Sequence, residues 1–113
     1  MAEEAHIEVG LSSHGGIPVL SVRGEIDVAS APRFQASVTD LLAWSSDTLI
    51  VDMSEVTFID SIGLGVLIDA EKRSRAANKS LRLVVTQPPV RRLLELTGLD
   101  EVLSVVASAT DQR

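Results

Sequence analysis

The chain has no cysteine, and only three of its 113 residues are aromatic, one Trp and two Phe. Without cysteine it has no disulfide, no thiol nucleophile and no Cys-based zinc site. Base stacking by a nucleic-acid binder would lack its usual aromatic side chains. What remains is a domain held together by apolar packing, and 45% of the residues are hydrophobic.

Positive charge is also scarce, since sixteen acidic against ten basic residues give a formal charge of −6 at pH 7. Phosphate binding needs clustered Lys and Arg, so we expect no nucleic-acid partner. The N-terminus lacks the basic region and apolar core of a signal peptide, and no apolar run approaches the roughly 18 residues of a membrane helix. We therefore expect no membrane association and a soluble, cytoplasmic protein.

The length suits one domain with its own core. We expect a single domain over 1–113, with its core at about 7–106 and a short polar tail at 107–113. Hydrophobic periodicity predicts alternating elements. The predicted strands cover about 7–12, 17–26, 48–53, 81–85 and 102–106, and the predicted helices cover about 31–44, 62–77 and 89–96.

Turn chemistry gives the fold class. The pair Gly15-Gly16 predicts a hairpin and hence two antiparallel strands, whereas the later strands alternate with helices. The apolar run at 48–53 predicts a central strand. Ser54–Val56 predicts a turn after that strand, and Trp44 is expected to close the first helix. These features predict an α/β fold, a mixed sheet of about five strands with helices on one or both faces.

The segment Phe58–Leu67, FIDSIGLGVL, combines the end of a strand-like run with the start of a helix. Asp60 is of the type that caps helix starts, so Ser61 would lie in the first turn, where the helix dipole favours negative charge. A phosphate on Ser61 would be tolerated there.

Two glycines follow in the same predicted helix, Gly63 and Gly65. Each costs roughly 0.8 to 1 kcal/mol relative to alanine inside a helix, so a close approach is expected to justify them. The approaching group is either the sheet beneath the helix or the backbone of a partner. The residues alone leave both interpretations open.

Enzymatic chemistry finds little support. Ser61 lacks the GxSxG elbow of a serine hydrolase. His6 and His14 both lie in the N-terminal hairpin, one near the chain end and the other at a turn, where a surface position accounts for them. Asp27, Asp52 and Asp60 all follow or end apolar runs, and capping or turn formation accounts for them. We expect no catalytic residue, no cofactor and no metal.

At this point the residues show a family resemblance. The segment VDMSEVTFIDSIGLGVLIDAEKR, with GEIDVASAPRF before it and VVTQPPVRRLLELTGLDEVL after it, closely resembles the STAS domain of bacterial anti-sigma factor antagonists. The resemblance extends from about Ile7 to Val106, and its central D-S-x-G-L-G segment is specific. It implies a STAS-like fold, a mixed sheet with helices packed on it.

The resemblance also implies a partner-switching role. The unmodified antagonist would bind an anti-sigma factor with serine kinase activity, the kinase would phosphorylate Ser61, and a phosphoserine phosphatase would reverse this. The residues implied to meet the partner are Asp27, Ser30, Asp60, Ile62, Gly63, Leu64 and Gly65. Ile62 departs from the Ser or Thr common after the phosphorylated serine, and the chain ends where many relatives add a last helix.

Two other hypotheses stay open. The chain could be a constitutive STAS scaffold or an accessory subunit of a larger complex, which would bind regardless of phosphorylation. Alternatively, it could be a nucleotide- or anion-binding module that uses the helix start together with Arg23, Arg33 or Lys79. The sequence identifies neither the sigma factor nor the oligomeric state.

Overall fold

A computed structural model describes residues 6–106. The chain begins with a hairpin of two antiparallel strands, β1 (Ile7–His14) and β2 (Ile17–Ile26). Gly15 and Gly16 join them with φ values of 57° and 83°. A two-residue turn with positive φ at both positions matches the right-handed twist of the strands, which is why glycine suits it. The predicted hairpin is confirmed.

Three parallel strands complete a sheet of five within the described residues, in the order β1-β2-β3-β4-β5. The intervening elements are three α-helices and one short 3₁₀ turn. In chain order the elements after β2 are α1 (Ala31–Leu42), β3 (Thr48–Ile59), α2 (Ser61–Ala76), β4 (Ser80–Val84), α3 (Pro88–Thr97), the 3₁₀ turn Leu99–Glu101 and β5 (Ser104–Val106). The predicted mixed sheet with β3 at its centre is confirmed.

All three α-helices pack on one face of this sheet. The main core joins the buried side chains of the helices to alternate residues of the strands, such as Leu49, Val51 and Met53 of β3. The residues between them face the other way, and Ile50 belongs to a smaller apolar cluster with Val19 and Val84 on the opposite face. The sequence left open whether helices cover one face or both, and the structure shows one helical layer.

The predicted turn at Ser54–Val56 is wrong, because β3 continues through it to Ile59. Two irregularities in the pairing of β2 with β3, between Ser21 and Arg23 and between Gly24 and Glu25, accommodate the extra residues of β3. The Ser54 backbone N–H donates to Asp52 Oδ1 at 3.0 Å. Polar, turn-forming residue types thus mark a bulge within a strand here.

Beyond the bulge, β3 extends further than β4, its neighbour on the side away from β2. Its ladder with β4 ends at the pair of Asp52 with Val84, whereas its ladder with β2 continues to the pair of Ile26 with Ile59. The Ser54 carbonyl then accepts side-chain hydrogen bonds from Thr86 and Gln87 at 3.2 and 3.1 Å. The end of β3 therefore projects from the sheet edge together with the end of β2.

The remaining boundaries differ by a few residues. Helix α1 ends at Leu42, so Trp44 lies beyond its end, and the Lys79 ammonium group donates to the carbonyl of Leu42 at 2.9 Å. Strand β5 starts at Ser104 because the 3₁₀ turn precedes it. Gly98 ends α3 with φ 75°, a left-handed conformation that glycine adopts more readily than other residues. The predicted polar tail at 107–113 lies outside the described residues.

Gly24 gives a stability prediction. Its φ is 111°, and a Cβ placed there would lie 2.2 Å from the backbone oxygen of His6. The Glu25 N–H donates to that same oxygen at 2.8 Å, so the oxygen is held in place. We expect Gly24→Ala to lower the free energy of unfolding by more than about 2 kcal/mol, measured by urea denaturation.

The matched control is Gly10→Ala in the neighbouring strand. Nothing lies within 4 Å of a Cβ at Gly10, so its unfolding free energy should stay within about 0.5 kcal/mol of the wild type. Equal losses in the two variants would contradict a specific backbone contact at Gly24.

Candidate functional site

The carboxyl ends of β2 and β3 form one edge of the sheet. The loop that contains Asp27 and the helix start that contains Asp60 and Ser61 meet there. Ile26 pairs with Ile59, and the Asp60 N–H donates to the Ile26 carbonyl at 3.1 Å. Asp27 and Asp60, the next residues of the two strands, are therefore neighbours. Asp52 is not part of this edge, since it lies within β3 and lines a shallow groove of about 310 Å³ on the helix-free face.

Asp60 caps helix α2 as predicted. Its backbone is extended, and Oδ1 accepts hydrogen bonds from the N–H groups of Ile62 at 3.0 Å and Gly63 at 3.2 Å. Two of the four unpaired donors of the first turn are thereby satisfied. Ser61 is the first residue of the helix and is exposed. Its hydroxyl is thus accessible at the positive end of a sixteen-residue helix.

The two glycines of α2 have different structural reasons. A Cβ at Gly63 would lie 2.6 Å from Ile26 Cγ2 and 2.7 Å from Ile59 Cγ1, so the helix contacts the strand ends at this residue. A Cβ at Gly65 would have nothing within 4 Å, and this glycine is exposed. The sheet accounts for Gly63, and no contact in the described chain accounts for Gly65.

The predicted partner-facing residues divide in the same way. Ser30, Gly63 and Leu64 are buried, so these three residues present little surface to solvent at this edge and pack within the loop and the helix start. Ile62 is exposed, with 45% of its surface accessible.

The loop between β2 and α1 is built around Ser30 and Asp27. Ser30 Oγ donates to the Glu25 carbonyl at 2.7 Å and accepts from the Asp27 N–H at 2.9 Å. Asp27 Oδ1 accepts from the N–H groups of Ala29 and Ser30, both at 3.0 Å. Ser30 stands at the cap position of α1 and is of a residue type that caps helices, but its hydroxyl makes no capping hydrogen bond to the helix. It closes the loop that holds Asp27 instead.

These hydrogen bonds lower the pKa of the Asp27 carboxyl below its ordinary value. The hydrogen bond from the Ser30 backbone N–H lowers this pKa most. The Ser30 side chain, the Ala29 N–H and the nearby His6 also lower it, whereas partial desolvation raises it. Asp27 is consequently an anion at neutral pH, beside the start of α2.

Two further residues of this edge escaped the sequence interpretation. Val28 and Phe58 are large apolar side chains that remain 69% and 48% exposed. Val28 follows Asp27 directly, and Phe58 lies two residues before Asp60. The signal that could have revealed Val28 is an apolar residue in an otherwise small and polar loop. The exposure of Phe58 could not be predicted from the alternation of the sequence, because the bulge changes which residues of β3 face outward.

Two of the three cations proposed for an anion site are engaged elsewhere. Arg23 pairs with Glu8 at 3.5 Å and Glu55 at 3.2 Å, and Lys79 donates to the Leu42 carbonyl at the end of α1. Arg33 lies in the first turn of α1, which follows the loop of Asp27. Among residues 6–106 no group of three His, Cys, Asp or Glu side chains is arranged to hold a metal ion. None of the helices in that range is long and apolar enough to cross a membrane.

The chain is similar over most of its length to proteins of one family. The STAS domain family model matches residues 9–111. The anti-sigma-F factor antagonist RsfB of Mycobacterium tuberculosis is 29% identical over 98% of this chain and 90% of its own length. The crystal structure of an anti-sigma factor antagonist from Mycobacterium paratuberculosis is 31% identical and superposes with a TM-score of 0.85, covering 93% of this chain and 89% of that one.

A more distant structural neighbour is SpoIIAA of Bacillus. Its unphosphorylated form, an anti-sigma factor antagonist, has a TM-score of 0.70 at 21% identity, with 88% of each chain covered. Its phosphorylated form has a TM-score of 0.65 at 19% identity, covering 88% of this chain and 91% of that one. At these identities the likeness concerns the fold.

The two glycines of α2 allow a paired stability test. Gly63→Ala should lower the free energy of unfolding, because its methyl group overlaps Ile26 and Ile59, and overpacking of a core costs about 1 to 3 kcal/mol. Gly65→Ala should raise it by up to about 1 kcal/mol, because the site is open and alanine favours the helix. Chemical denaturation measures both, and a stabilised Gly63→Ala variant would contradict the contact with the strands.

The loop of Asp27 gives a pH prediction. Its lowered pKa means that its contribution to stability is present above the unfolded value of about 3.9 and is lost as the pH falls through the folded value. An NMR titration of the side-chain carboxyl carbon should place the Asp27 midpoint below about 3.9.

Ser30→Ala should move that midpoint upward, because it removes a hydroxyl that lies 3.2 Å from Oδ1 and ties the loop together. Ser104→Ala, at an exposed serine in β5, is the control and should leave it unchanged. An Asp27 midpoint at or above about 3.9 in the unaltered protein would refute the described loop.

Proposed function

This chain belongs to the STAS domain family, and we propose that it acts as an anti-sigma factor antagonist whose binding is switched at Ser61. In this proposal the unphosphorylated chain binds an anti-sigma factor that is also a serine kinase. Phosphorylation of Ser61 releases it, a phosphoserine phosphatase restores it, and the exchange takes place in the cytoplasm. The names of the Mycobacterium relatives support the antagonist role.

One observation carries the proposal, which is the exposed hydroxyl of Ser61 at the first position of α2. Asp60 supplies the cap through its own carboxylate, so Ser61 is not needed to start the helix. A phosphate there would meet the positive end of the helix and leave the fold intact. With Ile62 as the next residue, Ser61 is the hydroxyl of the D-S-I-G-L-G segment that a kinase would modify.

The same phosphate would weaken an interface that covers the first turn. It adds about −1.5 to −2 charges at neutral pH, beside Asp60 and the ionised Asp27. Burying a dianion without partners costs several kcal/mol, which corresponds to a loss of affinity of about a hundredfold or more. SpoIIAA has solved structures in unphosphorylated and phosphorylated forms, which supports a switch of this kind in a protein of the same fold.

Gly65 fits the same proposal. It is exposed, nothing in the described chain fills the space above it, and it lies one turn along the helix from Ser61. A glycine kept at an unfavourable helical position allows the backbone of a partner to come close. Asp27, Asp60, Ile62 and Gly65 are accordingly proposed as partner contacts, whereas Ser30, Gly63 and Leu64 hold the surface in shape.

The alternatives receive less support. A nucleotide- or anion-binding module would use cations near the helix start, yet Arg23 and Lys79 are engaged elsewhere, which leaves Arg33 as the one remaining member of the three candidates. A constitutive scaffold would not need an accessible serine at a capped helix start. We therefore retain the switch as the leading function, without a catalytic role for the chain.

The test uses every anti-sigma factor of the serine kinase type encoded by the organism that produces this chain, each expressed separately. We expect one of them to bind the unmodified protein and, with ATP and Mg²⁺, to add one phosphate, read by intact mass. Ser61→Glu should weaken that binding by about a hundredfold, measured by calorimetry, because it places charge in the interface.

Ser61→Ala is the matched variant. It should bind as the wild type does and accept no phosphate. A phosphate on Ser61→Ala would reassign the site, and equal affinity of Ser61→Glu and the wild type would refute the switch.

A further inference from the structure

Three large apolar side chains are exposed at the edge that carries Ser61. Val28, Phe58 and Ile62 have 69%, 48% and 45% of their surfaces accessible, although the core buries residues of the same types almost completely. They come from three different elements, the loop after β2, the end of β3 and the first turn of α2. The pairing of β2 with β3 up to Ile26 and Ile59 brings all three to the same end of the sheet, with Phe58 on the side away from the helices, because its neighbour Ile59 packs against α2.

Packing within the described chain does not explain why these three apolar side chains are exposed. Ile62 lies on the solvent side of α2, next to Gly63, which makes the contact with the strands. Phe58 lies on the part of β3 that extends past the end of β4. Exposed apolar residues that cluster at one edge are typical of protein interfaces, where aromatic and aliphatic side chains act as anchors.

Carboxylates surround the apolar residues. Glu25 pairs with Phe58 in neighbouring strands, so their side chains lie side by side, and Asp27 and Asp60 follow at the strand ends. None of these three carboxylates forms an ion pair within residues 6–106, while Arg23 pairs with Glu8 and Glu55 instead. The edge therefore has an apolar centre and a rim of carboxylates that form no ion pair in the described residues, with His6 near Asp27 and Arg33 in the first turn of α1.

We propose that Val28, Phe58 and Ile62 form the apolar anchor of the partner interface, and that the partner offers an apolar pocket bordered by Arg or Lys. This inference rests on the proposed function and names the chemistry of the partner. The pocket receives the three side chains around Ser61, and the cations of its border face Glu25 and Asp27. We call the set of Val28, Phe58 and Ile62 the anchor.

This arrangement also explains why phosphate would oppose binding although the partner is cationic. The cations are held at the rim by carboxylates that are already present, whereas Ser61 lies among the anchor residues and faces the apolar pocket. A neutral hydroxyl enters such a pocket at small cost, but a dianion loses its hydration without a new partner. The carboxylates of the rim attract the cations of the partner, and the apolar surroundings of Ser61 make binding sensitive to phosphate.

The experiment measures the affinity of the anti-sigma factor that binds the wild-type chain in the panel described above. Val28→Ser, Phe58→Ser and Ile62→Ser should each raise Kd by about tenfold or more, because truncated anchors of an interface have effects of this size. Glu25→Arg should also raise Kd, and should reduce the dependence of the association rate on salt.

Matched controls lie at the opposite edge of the sheet, where α3 ends and the 3₁₀ turn begins. Leu96 and Val102 are exposed by 74% and 50%, so Leu96→Ser and Val102→Ser make the same chemical change away from Ser61. Glu101→Arg repeats the charge reversal there. These three variants should bind as the wild type does, and thermal unfolding should show every variant folded.

The outcomes separate the two proposals. If Ser61→Glu weakens binding while the anchor variants bind as the wild type does, the anchor is refuted and the switch stands. If the variants at both edges weaken binding equally, the location of the anchor is refuted. If no member of the panel binds the wild type, the proposed function fails and the anchor fails with it.

Discussion

The contact of Gly63 with Ile26 and Ile59 is the constraint on which the functional edge depends. It brings the backbone of α2 against the ends of two adjacent strands, closer than any side chain would allow. The hydrogen bond from the Asp60 N–H to the Ile26 carbonyl and the cap formed by Asp60 then follow within a few residues. Ser61 is thereby held at a defined place on a rigid scaffold, as the proposed phosphorylation and partner contact would require.

Within the segment from Asp60 to Gly65, structural and surface residues alternate closely. Asp60, Gly63 and Leu64 stabilise the start of the helix from within, through a cap, a close contact and burial in the core. Ser61, Ile62 and Gly65 face solvent. A helix places every third or fourth residue on the same side, so six consecutive residues can serve both purposes without interference.

Much of this could be predicted because it is local. The glycine pair of the hairpin, the left-handed Gly98 and the cap by Asp60 all follow from the conformations that single residues favour. The failures are of a different kind. The course of β3 past Ser54 depends on its pairing with β2, and the purpose of Gly63 depends on side chains of two other elements. The polar residues near Ser54 do not distinguish a bulge from a turn, and the residue type of Gly63 does not show which element approaches it.

The bulged pairing of β3 also limits how the gene can vary. Between Ser21 and Ile26, β2 advances five residue steps while β3 advances seven, from Asp52 to Ile59. Side chains alternate between the faces of a strand, so one codon lost or gained in this stretch would turn Ile59 away from the helices or shift Ser61 along the edge. Insertions and deletions during evolution should therefore collect in the outer loops, and the length of this stretch should be kept even where its residues change.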